Sequence, residues 1–224
     1  MTDQPFSLFE PFADRFCIAL FTKEDAVTSD AEAAKQLCFE KVAGLHQVHG
    51  NKTVVVNEEL NRTEQADGML TKTPELVLAT RWADCQNFVV YAPEKHVAGL
   101  LHVGWRGLIA GAIPAFFEAL RNNFSIEPAE SYVGAGPSLC KQCAGFSNPQ
   151  NELPGIDSRF FDGNQVDLRS AALQSFLKQG VLSERFERHP DCTRCHPEHY
   201  WTYRGGHKEQ VIKGKANMLC CVLS

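Results

Sequence analysis

The sequence predicts an α+β fold in a single domain over residues 1–224, and three observations carry that expectation. Apolar, β-branched runs bounded by turn residues recur at Val77–Ala83, Phe88–Ala92 and Val97–Val103, the pattern of buried strands. Two segments with apolar residues at helical spacing come later, one directly after the third run and one after Asp167. No repeat, low-complexity tract or linker interrupts the 224 residues, a length that buries a sizeable core without staples.

The opening stretch, MTDQPFSLFEPFADRF, reads as an edge element, and Phe16–Thr22 (FCIALFT) as a strand. Ser29 or Asp30 caps a short helix through Glu40, with Ala33, Ala34, Leu37 and Cys38 on one face. In LHQVHGNKTVVVN, residues 45–57, a strand start, a Gly50-Asn51 turn and a strand over Thr53–Val56 read as a hairpin. His46 and His49 would face opposite sides of that strand, so at most one enters a given site. Asp67-Gly68 is a turn feeding the central strands. Those strands bracket Asp84 and Cys85 and deliver His102 into the Gly104-Trp105-Arg106-Gly107 turn. Leu108, Ile109, Ala112, Phe116, Phe117 and Leu120 predict a helix from near Trp105 to Asn122, kinked or broken at Pro114. Ser131–Ala135 is a strand, followed by an irregular connection to about Asn164. Asp167 caps a helix with Leu168, Ala172, Phe176 and Leu177 inward and Gly180 as its stop, and Met218–Leu223 is the last strand.

The net charge of −5, with no Lys/Arg cluster, argues against nucleic-acid and anionic-membrane partners and makes a small-molecule substrate the default. No basic region leads into an apolar one at the N-terminus, and no apolar run approaches the ~20 residues of a membrane span, so a cytoplasmic location is expected. The nine cysteines are odd in number, which favours reduced thiols or metal ligands over disulfides.

Three constellations could carry chemistry. His49, Cys85 and His102 match an open zinc site, three protein ligands leaving a fourth position for water or substrate. The same thiol beside an imidazole is also the nucleophile–base arrangement of cysteine hydrolases, with Asp84 adjacent. The bland alternative is a buried apolar cysteine and two hydrogen-bonded strand histidines. Gly104-Trp105-Arg106-Gly107, a strand running into a helix, offers backbone N–H groups and a guanidinium to an anion, and an indole to an aromatic ring; as plain structure it is a tight turn over packed core. Cys140-x-x-Cys143 and Cys192-x-x-Cys195 are two knuckles suited to a structural zinc if they meet. Cys192-Thr-Arg-Cys-His196 also spells a c-type haem attachment, which needs an exported chain. Cys17, Cys38, Cys220 and Cys221 read as core filler.

Taken together, HQVHG (46–50), ADGMLT (66–71), ADC (83–85), HVGWRGL (102–108), GAGPS (134–138), Asp167-Leu168 before a helix, and CT…YWTYRG (192–205) resemble the YfiH family, also called the multicopper polyphenol oxidase or laccase-domain family. The resemblance implies a mixed β-sandwich with flanking helices and places the family's metal ligands on His49, Cys85 and His102. It implies zinc, with copper as the older alternative, and phosphorolysis of adenosine, inosine and methylthioadenosine together with adenosine deamination. Purine nucleoside and phosphate are then the small-molecule partners. A branch linked to peptidoglycan-precursor editing supplies a second implied activity, Cys-dependent amide hydrolysis. The chain departs from the pattern at LFTKEDAVTSDAEAAK (20–35), where a Gly-rich loop is usual, at Gln86-Asn87, at Arg204-Gly205, and in its extra Cys195. These departures fit a divergent enzyme with an added structural zinc, or a zinc-stapled binding protein that has lost catalysis.

Overall fold

The computed structural model describes residues 1–224. Its strands are β1 (Thr2–Asp3), β2 (Phe16–Phe21), β3 (Lys41–His46), β4 (Thr53–Val55), β5 (Leu60–Gln65), β6 (Gly68–Thr71), β7 (Leu76–Trp82), β8 (Gln86–Ala92), β9 (Val97–Val103), β10 (Tyr132–Ala135), β11 (Phe161–Asp162), β12 (Gln165–Val166), β13 (Phe186–Arg188) and β14 (Asn217–Leu223). The helices are α1 (Asp30–Gln36), α2 (Trp105–Ile109), α3 (Ala112–Phe124), α4 (Pro149–Glu152), α5 (Leu168–Gln179) and α6 (Lys208–Ile212).

Two six-stranded mixed sheets form the body, one in the order β1-β2-β14-β7-β3-β5 and the other β13-β10-β8-β9-β6-β4. The inner strands β7, β8, β9 and β14 read as near-continuous apolar runs because both of their faces are covered. Phe16, Ile18, Leu20, Leu76, Leu78, Leu219 and Cys221 of the first sheet meet Met69, Val89, Tyr91 and Leu100 of the second in the central core. The alternate residues Ala19, Phe21, Val77, Ala79, Met218 and Cys220 turn outward against Ala33 and Ala34 of α1. On the second sheet's outer face, Phe88, Val90, Leu101 and Val103 pack on Phe116 and Phe117 of α3 and Phe176 of α5. The α+β, sandwich-with-helices expectation therefore holds, with helices on both outer faces.

Several local expectations change. The 45–57 stretch is not a hairpin: β3 lies in the first sheet and β4 in the second, and the segment between them crosses from layer to layer. The helix after Trp105 is broken by Gly111, at φ +77°, rather than by Pro114, which sits in the first turn of α3 where its missing N–H costs nothing. Ser29, not Asp30, caps α1, accepting from the Glu32 N–H at 3.1 Å, and that helix stops before Cys38, which is exposed and left-handed rather than core filler. Leu177 of α5 is 41% exposed; Ala171 takes its inward place. Asp167 caps α5 and Gly180 ends it as expected.

Asp30, freed from capping, is buried and accepts from Arg62 Nε at 2.8 Å and Arg81 Nε at 2.9 Å, tying α1 to β5 and β7. Asp30→Ala is expected to cost roughly 2–4 kcal/mol, because two half-buried guanidinium groups lose their counter-charge together. Urea unfolding should show a lower midpoint at unchanged slope; an unshifted midpoint would mean the cluster is energetically a surface group.

Candidate metal centre

His49, Cys85 and His102 come together, their ligand atoms within 4.8 Å of one another. Each arrives by a different route. Cys85 lies on the β7–β8 connection and His49 on the β3–β4 connection, both passing from one sheet to the other, while His102 is the penultimate residue of β9. His46, at the end of β3, borders the same cleft but stands outside the trio. His49 is separated from it not by strand alternation but by a turn in which His49 itself is left-handed, φ +61°.

That turn is held by Asp67, which is fully buried. Its carboxylate accepts from the backbone N–H groups of Val48 at 3.2 Å, His49 at 3.0 Å and Gly50 at 2.7 Å, and from Nδ1 of His102 at 2.8 Å. A carboxylate accepts but does not donate, so Nδ1 of His102 carries the proton and Nε2 is turned to the site. Burial alone would push Asp67 up, but the His102 and Gly50 hydrogen bonds outweigh it and hold the group below its usual range. Burial likewise works against ionised Cys85, yet the imidazoles of His102 and His49 bring its thiol down to about 6, while His102 rises to about 9 between Asp67 and Cys85. A thiolate at neutral pH is the form that binds a metal or attacks a carbonyl.

Gly104 leaves the space these groups use: a Cβ there would lie 2.8 Å from His49 Cδ2 and 3.1 Å from Cys85 Sγ. One thiolate and two imidazoles at this spacing suit a single zinc-sized ion with an open position. Copper of the multicopper kind needs a richer imidazole set than these two rings.

Asp84 does not orient the trio. It is buried, left-handed at φ +81°, and both oxygens face the C-terminal segment: Oδ1 accepts from Thr193 Oγ1 at 2.7 Å and Thr202 Oγ1 at 2.6 Å, and Oδ2 from the Arg204 N–H at 2.7 Å. It is a positioning group that fastens residues 193–204 beside Cys85. The carboxylate that orients His102 is Asp67, read from sequence as a turn residue; the available signal was a carboxylate at the mouth of a fully buried strand.

The trio opens into a cleft of about 860 Å³, half of whose 26 lining residues are hydrophobic. Trp105 borders it, meeting Phe146 edge-on at 6.0 Å, and the Arg106 guanidinium stacks 4.1 Å over Trp105 without a carboxylate partner. Gly107 lies outside the cleft lining, and a Cβ there would sit 3.0 Å from the Gly50 carbonyl. Tyr203 and Arg204 also border the cleft, the Arg204 guanidinium lying 5.0 Å over the Phe146 ring.

Cys140, Cys143, Cys192 and Cys195 also converge, with sulfurs within 4.8 Å of one another. Burial opposes ionisation of Cys192, but the N–H of Cys140, 3.2 Å from its sulfur, helps bring it down to about 7. His196 and His199 stay out of this cluster; His199 Nδ1 pairs with Glu24 at 2.9 Å. No helix is long and apolar enough to cross a membrane.

The model of a family described as multi-copper polyphenol oxidoreductase laccase matches residues 22–221. The chain belongs to this laccase family. A relative within reach of it, purine nucleoside phosphorylase SCO2081 of Streptomyces coelicolor, is 33% identical over 191 residues, covering 80% of this chain and 77% of that protein. Mouse purine nucleoside phosphorylase LACC1 is 26% identical over 176 residues, covering 73% of this chain; the match spans 40% of the mouse protein's length. The crystal structure of YlmD from Geobacillus stearothermophilus superposes with a TM-score of 0.76 at 21% identity, covering 96% of this chain and 93% of that one, so the two share the laccase-family fold.

Two substitutions test the geometry of the trio. Asp67→Asn should weaken metal binding there by about 10–100-fold in competition with a chromophoric chelator, since it removes the acceptor that fixes His102 and the His49 turn. Gly104→Ala should do at least as much by crowding His49 and Cys85. Undiminished affinity in both variants would mean the trio is not where metal binds.

Proposed function

We propose that the chain is a zinc-dependent purine nucleoside enzyme that splits adenosine, inosine or methylthioadenosine with phosphate and also deaminates adenosine. The observation that carries this reading is the trio's position at the wall of a half-apolar cleft that also holds an indole and an unpaired guanidinium. Relatives named as purine nucleoside phosphorylases agree with it.

His49, Cys85 and His102 would hold the ion. Bound there, zinc would supply Lewis-acid polarisation to a substrate atom at the open position. The remaining work falls to the protein. Asp67 keeps His102 in the tautomer that presents Nε2, and Cys85 enters as thiolate. Trp105 offers an aromatic surface to the purine, as its size and flatness suit. Arg106 meets the phosphate dianion with a planar fork of donors, and the apolar half of the cleft limits water around the glycosidic bond. Phosphorolysis makes the C1′–O bond to phosphate as the C1′–N bond to the base breaks, and the base takes up the proton that the hydrogen phosphate dianion gives up.

A second reading rests on the Cys85–His102 pair itself: a thiolate beside an imidazolium is the resting state of a cysteine-dependent amide hydrolase. The two diverge on chelation. On the zinc reading, adenosine turnover falls by at least about 10²-fold in Cys85→Ser and on metal removal, and added zinc restores the stripped wild type. Arg106→Ala should lower phosphorolysis while sparing deamination. Amide hydrolysis that survives chelators and is abolished by alkylation of Cys85 would replace the zinc reading. Nucleoside binding without turnover of any nucleoside would instead indicate a binding protein.

A further inference from the structure

The geometry points to a second zinc ion, held by Cys140, Cys143, Cys192 and Cys195, that has no part in the chemistry and staples one wall of the cleft to the C-terminal segment. It stands independently of the substrate proposed above. The spacing supports one ion. A tetrahedral zinc with bonds of about 2.3 Å sets its sulfurs roughly 3.8 Å apart. Here Cys195 Sγ lies 3.6 Å from Cys143 Sγ and 3.9 Å from Cys140 Sγ. One sulfur shared nearly equally between two neighbours is a coordination pattern; a disulfide pairs sulfurs two by two at about 2.05 Å. A multi-iron cluster would spread the thiolates further than a single ion does. With four protein ligands no position remains for substrate, which makes the site structural.

Each knuckle is preformed by its own backbone. The N–H of Cys143 bonds the carbonyl of Cys140 at 3.0 Å, and that of Cys195 bonds the carbonyl of Cys192 at 3.1 Å. A bridge between Ser138 and Cys192 brings the two turns side by side.

The surrounding structure explains why a staple is needed. The excursion between β10 and α5 contains a four-residue α4 and the two-residue strands β11 and β12, around a core of seven buried residues, two of them Cys143 and Cys192. So small a core stabilises little by burial alone. Yet this excursion supplies Phe146, against which Trp105 packs, and Gly145, whose carbonyl accepts from Arg204 at 2.6 Å. On the other side, Thr193 follows Cys192 directly and donates to Asp84, next to Cys85. The thiolate cluster thus joins the excursion that backs Trp105 to the C-terminal segment that Asp84 holds beside Cys85.

The test counts zinc in Cys85→Ser protein, where the catalytic trio has lost its thiolate. One equivalent per chain is expected to remain, to disappear in Cys85→Ser combined with Cys143→Ser, and to persist when Cys195, which is exposed, becomes His, since imidazole replaces thiolate in such sites. Cobalt loaded into Cys85→Ser should show the intense thiolate charge-transfer and tetrahedral bands of an all-sulfur site. Stripping that ion should lower Tm by on the order of 10 °C. If the Cys143 variant does not fold, the Cys195→His protein and the cobalt spectrum still decide. Zinc-free Cys85→Ser protein, iron in place of zinc, or disulfides among these four cysteines in non-reduced peptide maps would overturn the proposal. Loss of nucleoside turnover alone bears on the catalytic trio and not on this site.

Discussion

A single buried carboxylate holds the candidate centre together. Asp67 accepts from three consecutive backbone amides and one imidazole, so it fixes at once the path of the chain between the sheets and the tautomer of His102. An unpaired charge at that depth would be costly, and the four donors are what make it tolerable. Remove it and the His49 turn has no reason to stay left-handed; the third ligand would then swing away. The trio's geometry is therefore a property of the loop that crosses between the sheets rather than of the strands beside it.

Asp84 has the matching role on the other crossing. It sits beside Cys85 but spends both oxygens on Thr193, Thr202 and Arg204, recruiting a segment more than a hundred residues away to roof the cleft. Two acids, each at a point where the chain changes layer, thus hold the centre from opposite sides. The four-cysteine cluster tightens the second of these links.

The strands were legible because their apolar runs are long and turn-bounded, and β7, β8, β9 and β14 lie within a residue or two of where periodicity puts them. What periodicity cannot convey is which sheet a strand joins: β3 and β4 looked like a hairpin because only a short turn separates them, and nothing local distinguishes a reversal within a sheet from a step between two. His49, Cys85 and His102 stood out together as ligand chemistry, and the family resemblance fell on the same three residues. Asp67 and Asp84 exchanged parts because sequence adjacency suggested a partnership with Cys85 that the left-handed backbone at Asp84 turns away from. The cysteine knuckles were visible as spacing, but their meeting depends on a bridge between distant segments. Gly107, read as part of an anion cradle, lies outside the cleft lining and close against the Gly50 carbonyl, and a missing side chain reads the same in either use.

The position of β14 has a consequence for how the protein is made. The last strand is not at an edge but runs between β2 and β7, hydrogen-bonded to both. Until residues 217–223 leave the ribosome, the first sheet stands split, with two apolar strand edges open to other chains. The first sheet can therefore close only when β14 inserts between β2 and β7, which joins strands far apart in the sequence in a single late step.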